Sequence, residues 1–211
     1  MKKLYEKKNN HKVIVDLSNG MRLEKDIVLT DREKIVKPLG IPEKLGGNTP
    51  QAGKALVNNL ANENYVLNNI KSTNRIIWKQ PFAKPLQNLF ITDAYGYNRK
   101  TAGYTIVHKG TDFRAEIGTP VYAMNDGIVK IAKSFSVYGN VIAIDHGQGL
   151  VTLYMHLSKI NVKQGESVKL GDTIGESGDT GYVSAPHLHI SIKINGISID
   201  PATFMKFFKV I

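Results

Sequence analysis

The chain has 211 residues, 42% of them hydrophobic and 22% charged, with a formal net charge of +10. That is ordinary globular usage, so wholesale disorder is excluded, and the basic surplus suits anionic partners (nucleic acid, an anionic membrane, an acidic wall polymer) without choosing among them. Cysteine is absent, which excludes disulfides, thiolate metal sites and cysteine nucleophiles; any metal must rest on His, Asp or Glu.

No apolar run reaches the ~18–20 residues that a membrane helix needs. The opening Met1-Lys2-Lys3-Leu4-Tyr5-Glu6-Lys7-Lys8 is basic but lacks the apolar segment of a signal peptide. It predicts either a cytosolic protein or a chain whose leader is not included. Residues 1–47 read as a partial β segment. His11–Leu17 alternates, Ser18-Asn19-Gly20 makes a turn, and Arg22–Leu29 returns. Residues 48–75 read as a linking helix and its exit. Asn48 or Thr49 caps the helix, Pro50 suits its first turn, and Leu56, Leu60, Leu67 and Ile70 form one apolar stripe over 49–71. From residue 76 to the end, short apolar stretches alternate with Gly turns, and helical periodicity returns only at Pro201–Phe208. The expected fold is mainly β: an open antiparallel sandwich or barrel over 76–211, preceded by a short hairpin and the linking helix.

Five of the six histidines lie between positions 108 and 189. His108-Lys-Gly-Thr-Asp112 is expected to be extended, which would put His108 and Asp112 on one face and let them chelate one ion. In His187-Leu188-His189 the two imidazoles share a face and Leu188 turns to the core. In Leu153-Tyr154-Met155-His156-Leu157, Tyr154 and His156 are expected on one face, with Leu153, Met155 and Leu157 on the other. Each setting alone also fits a core histidine. His146, entering the Gly147-Gln148-Gly149 turn, reads as structural, and His11 as solvated. Together, three imidazole settings and one carboxylate fit a zinc site of two His and one Asp with an open position for water. The two histidines left over would handle protons or donate to a developing oxyanion.

Residues from about Phe82 to Phe204 resemble the M23 metallopeptidases, the lysostaphin- or LytM-type peptidoglycan endopeptidases. The resemblance runs through His108-x-x-x-Asp112, Tyr154-x-His156-Leu157 and His187-x-His189. It continues in the connecting text Gly118-Thr119-Pro120-Val121, Asp126-Gly127, Tyr138-Gly139-Asn140 and Val168-Lys169-Leu170-Gly171-Asp172. It implies that His108, Asp112 and His189 bind Zn2+ and that His156 and His187 form the catalytic pair. The implied substrate is a stem or cross-bridge peptide of peptidoglycan, and the implied location is the periplasm or cell envelope. Ala185 departs from the family's usual Gly before the second motif. The family's upstream tyrosine falls on Tyr95, Tyr97 or Tyr104, and Arg99 would line the groove. Residues 1–75 are more loosely similar to the hairpin-then-helix lead-in of some Gram-negative members.

Three rivals remain at this level. A wall-binding or hydrolase-regulating module would share the fold without turnover. A histidine phosphocarrier would leave His108–Asp112 unexplained. A nucleic-acid binder would rest on charge alone, with no reader motif, so nucleic acid is not expected as a partner.

Overall fold

The computed structural model describes residues 10–16, 22–28 and 35–207. The basic start, the Ser18–Gly20 turn, Leu17, Leu29, Phe208 and the side chain of His11 lie outside what is described. The chain divides into two compact units, residues 1–34 and 35–211. In the first, β1 (Asn10–Asp16) and β2 (Arg22–Val28) pair antiparallel, with Asp16 opposite Arg22.

The second unit begins with β3 (Val36–Pro38) and α1 (Pro50–Asn68). Then come β4 (Ile91–Asp93), β5 (Asn98–Thr101), β6 (Tyr104–Val107), β7 (Thr111–Arg114), β8 (Pro120–Tyr122) and β9 (Gly127–Phe135). After them follow β10 (Gly139–Gly147), β11 (Leu150–Leu157), β12 (Lys159–Ile160), β13 (Ser167–Val168), β14 (Thr173–Glu176), β15 (His187–Ile194), β16 (Ile197–Ile199) and α2 (Pro201–Phe207). The main sheet runs β13-β9-β10-β11-β15-β7-β4, with β16 also on β15; β12-β14-β8 and β3-β5-β6 form two smaller sheets. The fold is thus mainly β and antiparallel, as expected, the β3–β5 pair being parallel.

Both faces of the main sheet are covered. Tyr154, Leu157, Leu188, Ile190 and Ile192 face a core with Phe82, Phe113 and Phe204. On the other face Leu67 of α1 packs against Val141, Ala143, Val151, Leu153 and Met155. Residues directly opposite in an antiparallel pair share a face, and Leu153 opposes Ser191 while Met155 opposes His189. The helix therefore lies on the same face as His189.

α1 matches the sequence expectation closely. Thr49 caps it, its hydroxyl accepting from Ala52 N at 3.2 Å, and Pro50 opens the first turn. It stops before Ile70 because the Asn69 side chain turns back to donate to Tyr65 O at 2.7 Å, competing with further helix. Glu63, on the polar side of the stripe, is buried. Its carboxylate accepts from Val137 N at 2.9 Å and Tyr138 N at 3.0 Å, fixing α1 to the β9–β10 turn.

His146 is structural, as its setting indicated. It is fully buried, with Nδ1 at 2.7 Å from Asp126 O and Nε2 at 2.8 Å from the Thr152 hydroxyl. Burial pushes its pKa down from 6.5 to about 4. The unfolded chain takes up this proton near pH 6.5 while the folded one resists, so stability is lost as pH falls from about 6.5 towards about 4. The expected loss is up to ~3 kcal/mol from this group. Urea melts at pH 7 and pH 4.5 should show it, and His146→Phe should flatten the pH dependence while lowering stability at pH 7.

Candidate metal centre

The site is assembled from the ends of β7, β11 and β15 and from the segment between β6 and β7. Asp112 and His189 face each other as a cross-strand pair, and Phe113 opposes Leu188 on the core side. That is period-two alternation at work: Leu188 is fully buried in the core while His187 and His189 project to the face shared with α1.

His108 arrives differently from the sequence expectation. It sits one residue past β6, not on a strand with Asp112, and is held by Tyr97 O, which accepts from its amide at 2.8 Å. Across the Lys109-Gly110 link its Nε2 comes to 3.1 Å from Asp112 Oδ1 on β7. Gly110 is required there, because any Cβ at that position would collide with the His189 ring and the Ile190 carbonyl.

His156 corrects a second expectation. Plain alternation would put it on the core face beside Tyr154. Instead β11 carries one extra residue opposite β10, between the Ile142–Tyr154 and Asn140–Leu157 pairs, and His156 takes φ 63°. Such a bulge re-aims a side chain. Met155 and His156 both turn to the α1 side and Leu157 returns to the core. Tyr154 stays in the core, its hydroxyl accepting from Met124 N at 2.9 Å.

His108 Nε2 and His189 Nδ1 lie 3.1 Å apart; Asp112 Oδ1 lies 3.1 Å from the first and 2.7 Å from the second. All three residues are buried. The far nitrogen of each ring is already committed. His108 Nδ1 donates to Ala94 O at 2.9 Å. His189 Nε2 donates to the Ser191 hydroxyl at 2.9 Å, whose own proton goes to Lys109 O. A neutral imidazole has one proton, so both inward nitrogens carry lone pairs. Burial, outweighing Asp112, lowers the His189 pKa to about 4. Two lone pairs and a carboxylate oxygen thus converge with no proton between them, an arrangement that calls for a cation. A tetrahedral zinc with bonds of ~2.0–2.1 Å spaces its ligands about 3.3 Å apart, close to the observed separations.

His156 and His187 flank this triad. Their rings lie 5.0 Å apart, and the His156 ring is 5.9 Å from that of His189. His156 Nδ1 donates to Thr180 O and His187 Nδ1 to Ala185 O, each at 2.9 Å. In the neutral form each then leaves Nε2 as its acceptor; that of His187 is 3.6 Å from Asp112 Oδ1. Burial, reinforced by His187 and His189, pushes the His156 pKa well below 6.5.

Arg99, expected from the sequence to line the groove, braces the site together with Asp93 and Lys37, to which the sequence assigned no role. Arg99 Nη2 donates to Asp112 Oδ2 and to Asp93 Oδ2, each at 2.6 Å, and Lys37 of β3 reaches Asp93 Oδ1 at 2.8 Å. Arg99 thereby occupies one carboxylate oxygen of Asp112 and leaves Oδ1 to the triad. Partners of this kind are worth about 10–100-fold in metal affinity. Arg99→Met should weaken zinc binding by about that factor, read by competition with a chromogenic chelator. Of the three candidate tyrosines, Tyr104 lines the cavity beside the site, Tyr95 donates to Ser198 O, and Tyr97 lies under the Lys37 ammonium.

Residues 106–201 match the model of peptidase family M23. Peptidoglycan DD-endopeptidase ShyC of Vibrio cholerae is 30% identical over 202 residues, 90% of this chain and 47% of that protein. Peptidoglycan DD-endopeptidase ShyA of the same organism is 48% identical over 93 residues, 44% of this chain and 22% of that protein. The crystal structure of a zinc-containing peptidase from Vibrio cholerae superposes with TM-score 0.51 at 36% identity, over 60% of this chain and 39% of that one. The chain spans less than half the length of each of these relatives.

Proposed function

We propose that this chain, which belongs to peptidase family M23, is a zinc-dependent endopeptidase that hydrolyses peptide cross-links of bacterial peptidoglycan. One observation carries the reading: three acceptor atoms of His108, Asp112 and His189 converge beside two further imidazoles whose Nδ1 atoms are held by backbone carbonyls. The relatives' activity as peptidoglycan DD-endopeptidases supports the substrate class, and such a substrate supports a location outside the cytoplasm, in the periplasm or cell envelope. Residues 76–211 would be the peptidase domain.

His108, Asp112 and His189 would hold the ion; bound there, zinc supplies a polarised carbonyl and a water acidified towards pKa ~7. His156 and His187 do the proton work. Each is oriented by a carbonyl that can only accept, so each meets the reacting centre with a basic Nε2. The one that takes the water's proton becomes a cation and a donor. That proton then passes to the leaving amine, while the other histidine, protonated from solvent, donates a hydrogen bond to the oxyanion. Asp112 steadies a charge on His187 across 3.6 Å. Arg99 keeps Asp112 from rotating.

Purified sacculi should release cross-link-cleaved muropeptides, identified by mass, and chelator should stop the release until zinc is restored. Sacculi that are bound but never cut would favour the non-catalytic wall-binding module instead.

A further inference from the structure

Lys193 is a charged group that the proposed chemistry does not use. It stands on β15 four residues beyond His189, ~13 Å along the strand and on the same face. The residue is 5% exposed. Its ammonium donates to the neutral side-chain oxygen of Asn68, at the C-terminal end of α1, and forms no ion pair among the described residues. Lys193 opposes Val151, and Val151 opposes Asp145. That carboxylate is two strands away, ~10 Å, and is already taken by the Ser72 hydroxyl, the amides of Thr73 and Gly147, and Lys130. Burial, and the like charge of Lys109, lower the Lys193 pKa to about 8, so the amine is still a cation at neutral pH. The end of α1 offers about half a negative charge, short of a full counter-ion. A buried charge without an opposite partner is costly, and an anion would remove that cost.

There is room for one. Lys193 lines a cavity of about 330 Å³ between the end of α1, the Gln148-Gly149 turn and the Asn195-Gly196 turn. No acidic residue lines it, and its rim carries the exposed amides of Asn68, Asn74, Gln148 and Asn195. The two turns are locked together. Asn195 N donates to Gly149 O at 2.9 Å, and a Cβ on Gly149 would strike the Asn195 side-chain oxygen. The NH2 groups of Asn68, Asn74 and Asn195 have no acceptor among the described residues. A carboxylate only accepts, through two oxygens with about four lone-pair sites, which matches one ammonium ringed by amide donors. This cavity and the one beside the metal centre share no lining residue.

We propose that the cavity is a second ligand site and takes a carboxylate, whose oxygens accept from the Lys193 ammonium and from the amides of Asn68 and Asn195. The carboxylate belongs to a small organic acid or to a stem peptide of the wall. The site does not depend on the peptidase reading.

The test is a titration of sodium acetate into the isotope-labelled, zinc-loaded full chain, against sodium chloride at equal ionic strength. The backbone amide resonances of Gly149, Asn195 and Gly196 should move saturably with acetate alone. Lys193→Met should weaken that response about 10–100-fold, the scale of a hydrogen bond to a charged group, with zinc content unchanged. Lys193→Arg, which keeps the charge, should retain it. Asn195→Gly removes one donor, suits the left-handed backbone at φ 50°, and should weaken acetate binding severalfold; it serves if Lys193→Met does not fold. Shifts confined to the metal centre, an equal response to chloride, or undiminished acetate binding in Lys193→Met or Asn195→Gly would overturn the proposal. Pelleting of the His156→Ala chain with sacculi separates the two sources. Weaker pelleting once Lys193→Met is added assigns the carboxylate to the wall; unchanged pelleting, with acetate binding lost, assigns it to a free acid. Both results sustain the site.

Discussion

Asp112→Ala is expected to leave the protein folded but without its ion, and to reduce muropeptide release by roughly 10³-fold or more. The carboxylate is the one anionic ligand in the proposed set, and its loss leaves two neutral imidazoles, too few for a tetrahedral zinc site. It also leaves Arg99, paired at 2.6 Å with Asp112 Oδ2, facing the vacated position with its positive charge. That charge repels the cation the site should hold. Zinc-to-protein stoichiometry after dialysis, measured alongside sacculus digestion, checks the result. A variant that retained one tightly held zinc would remove Asp112 from the ligand set.

His156→Ala should separate chemistry from metal binding. Its Nε2 is free and its ring stands 5.9 Å from that of His189, beside the triad rather than within it. Zinc content should stay at the unmodified level while turnover falls about 10²–10⁴-fold, the usual contribution of a positioned acid or base. KM should change little. His187→Ala should behave alike, and the double variant should lose much less than the product of the two, because the pair acts as a unit. Unchanged kcat in His156→Ala would exclude it from the mechanism.

The motif residues were legible because each sits where local rules operate. Strand alternation alone places Leu188 in the core and His187 with His189 on the other face, and the cap and stripe of α1 are visible as Thr49, Pro50, Leu56 and Leu67. The errors fall where the backbone departs from those rules. The bulge at His156 moves one residue across the sheet, and only pairing with β10 reveals it. His108 reaches Asp112 through a turn at Gly110 that resembles an extended run in sequence. The short strands β4, β5 and β6 were not separated, being three or four residues long and mostly half-exposed, with little periodicity to read. Asp93 and Glu63 carry no sequence signal. Their roles come from partners 6 and 74 positions away in the chain.

The run Lys37–Asp93–Arg99–Asp112 has a practical consequence for anyone trimming the molecule. A fragment cut to residues 106–201 would keep every proposed ligand and both flanking imidazoles, and would look complete on paper. It would nonetheless have lost the guanidinium that braces Asp112, along with Asp93 and the Lys37 ammonium paired with it, and the α1 leucines that line the adjoining cavity. An ion at the proposed site would be held more loosely there.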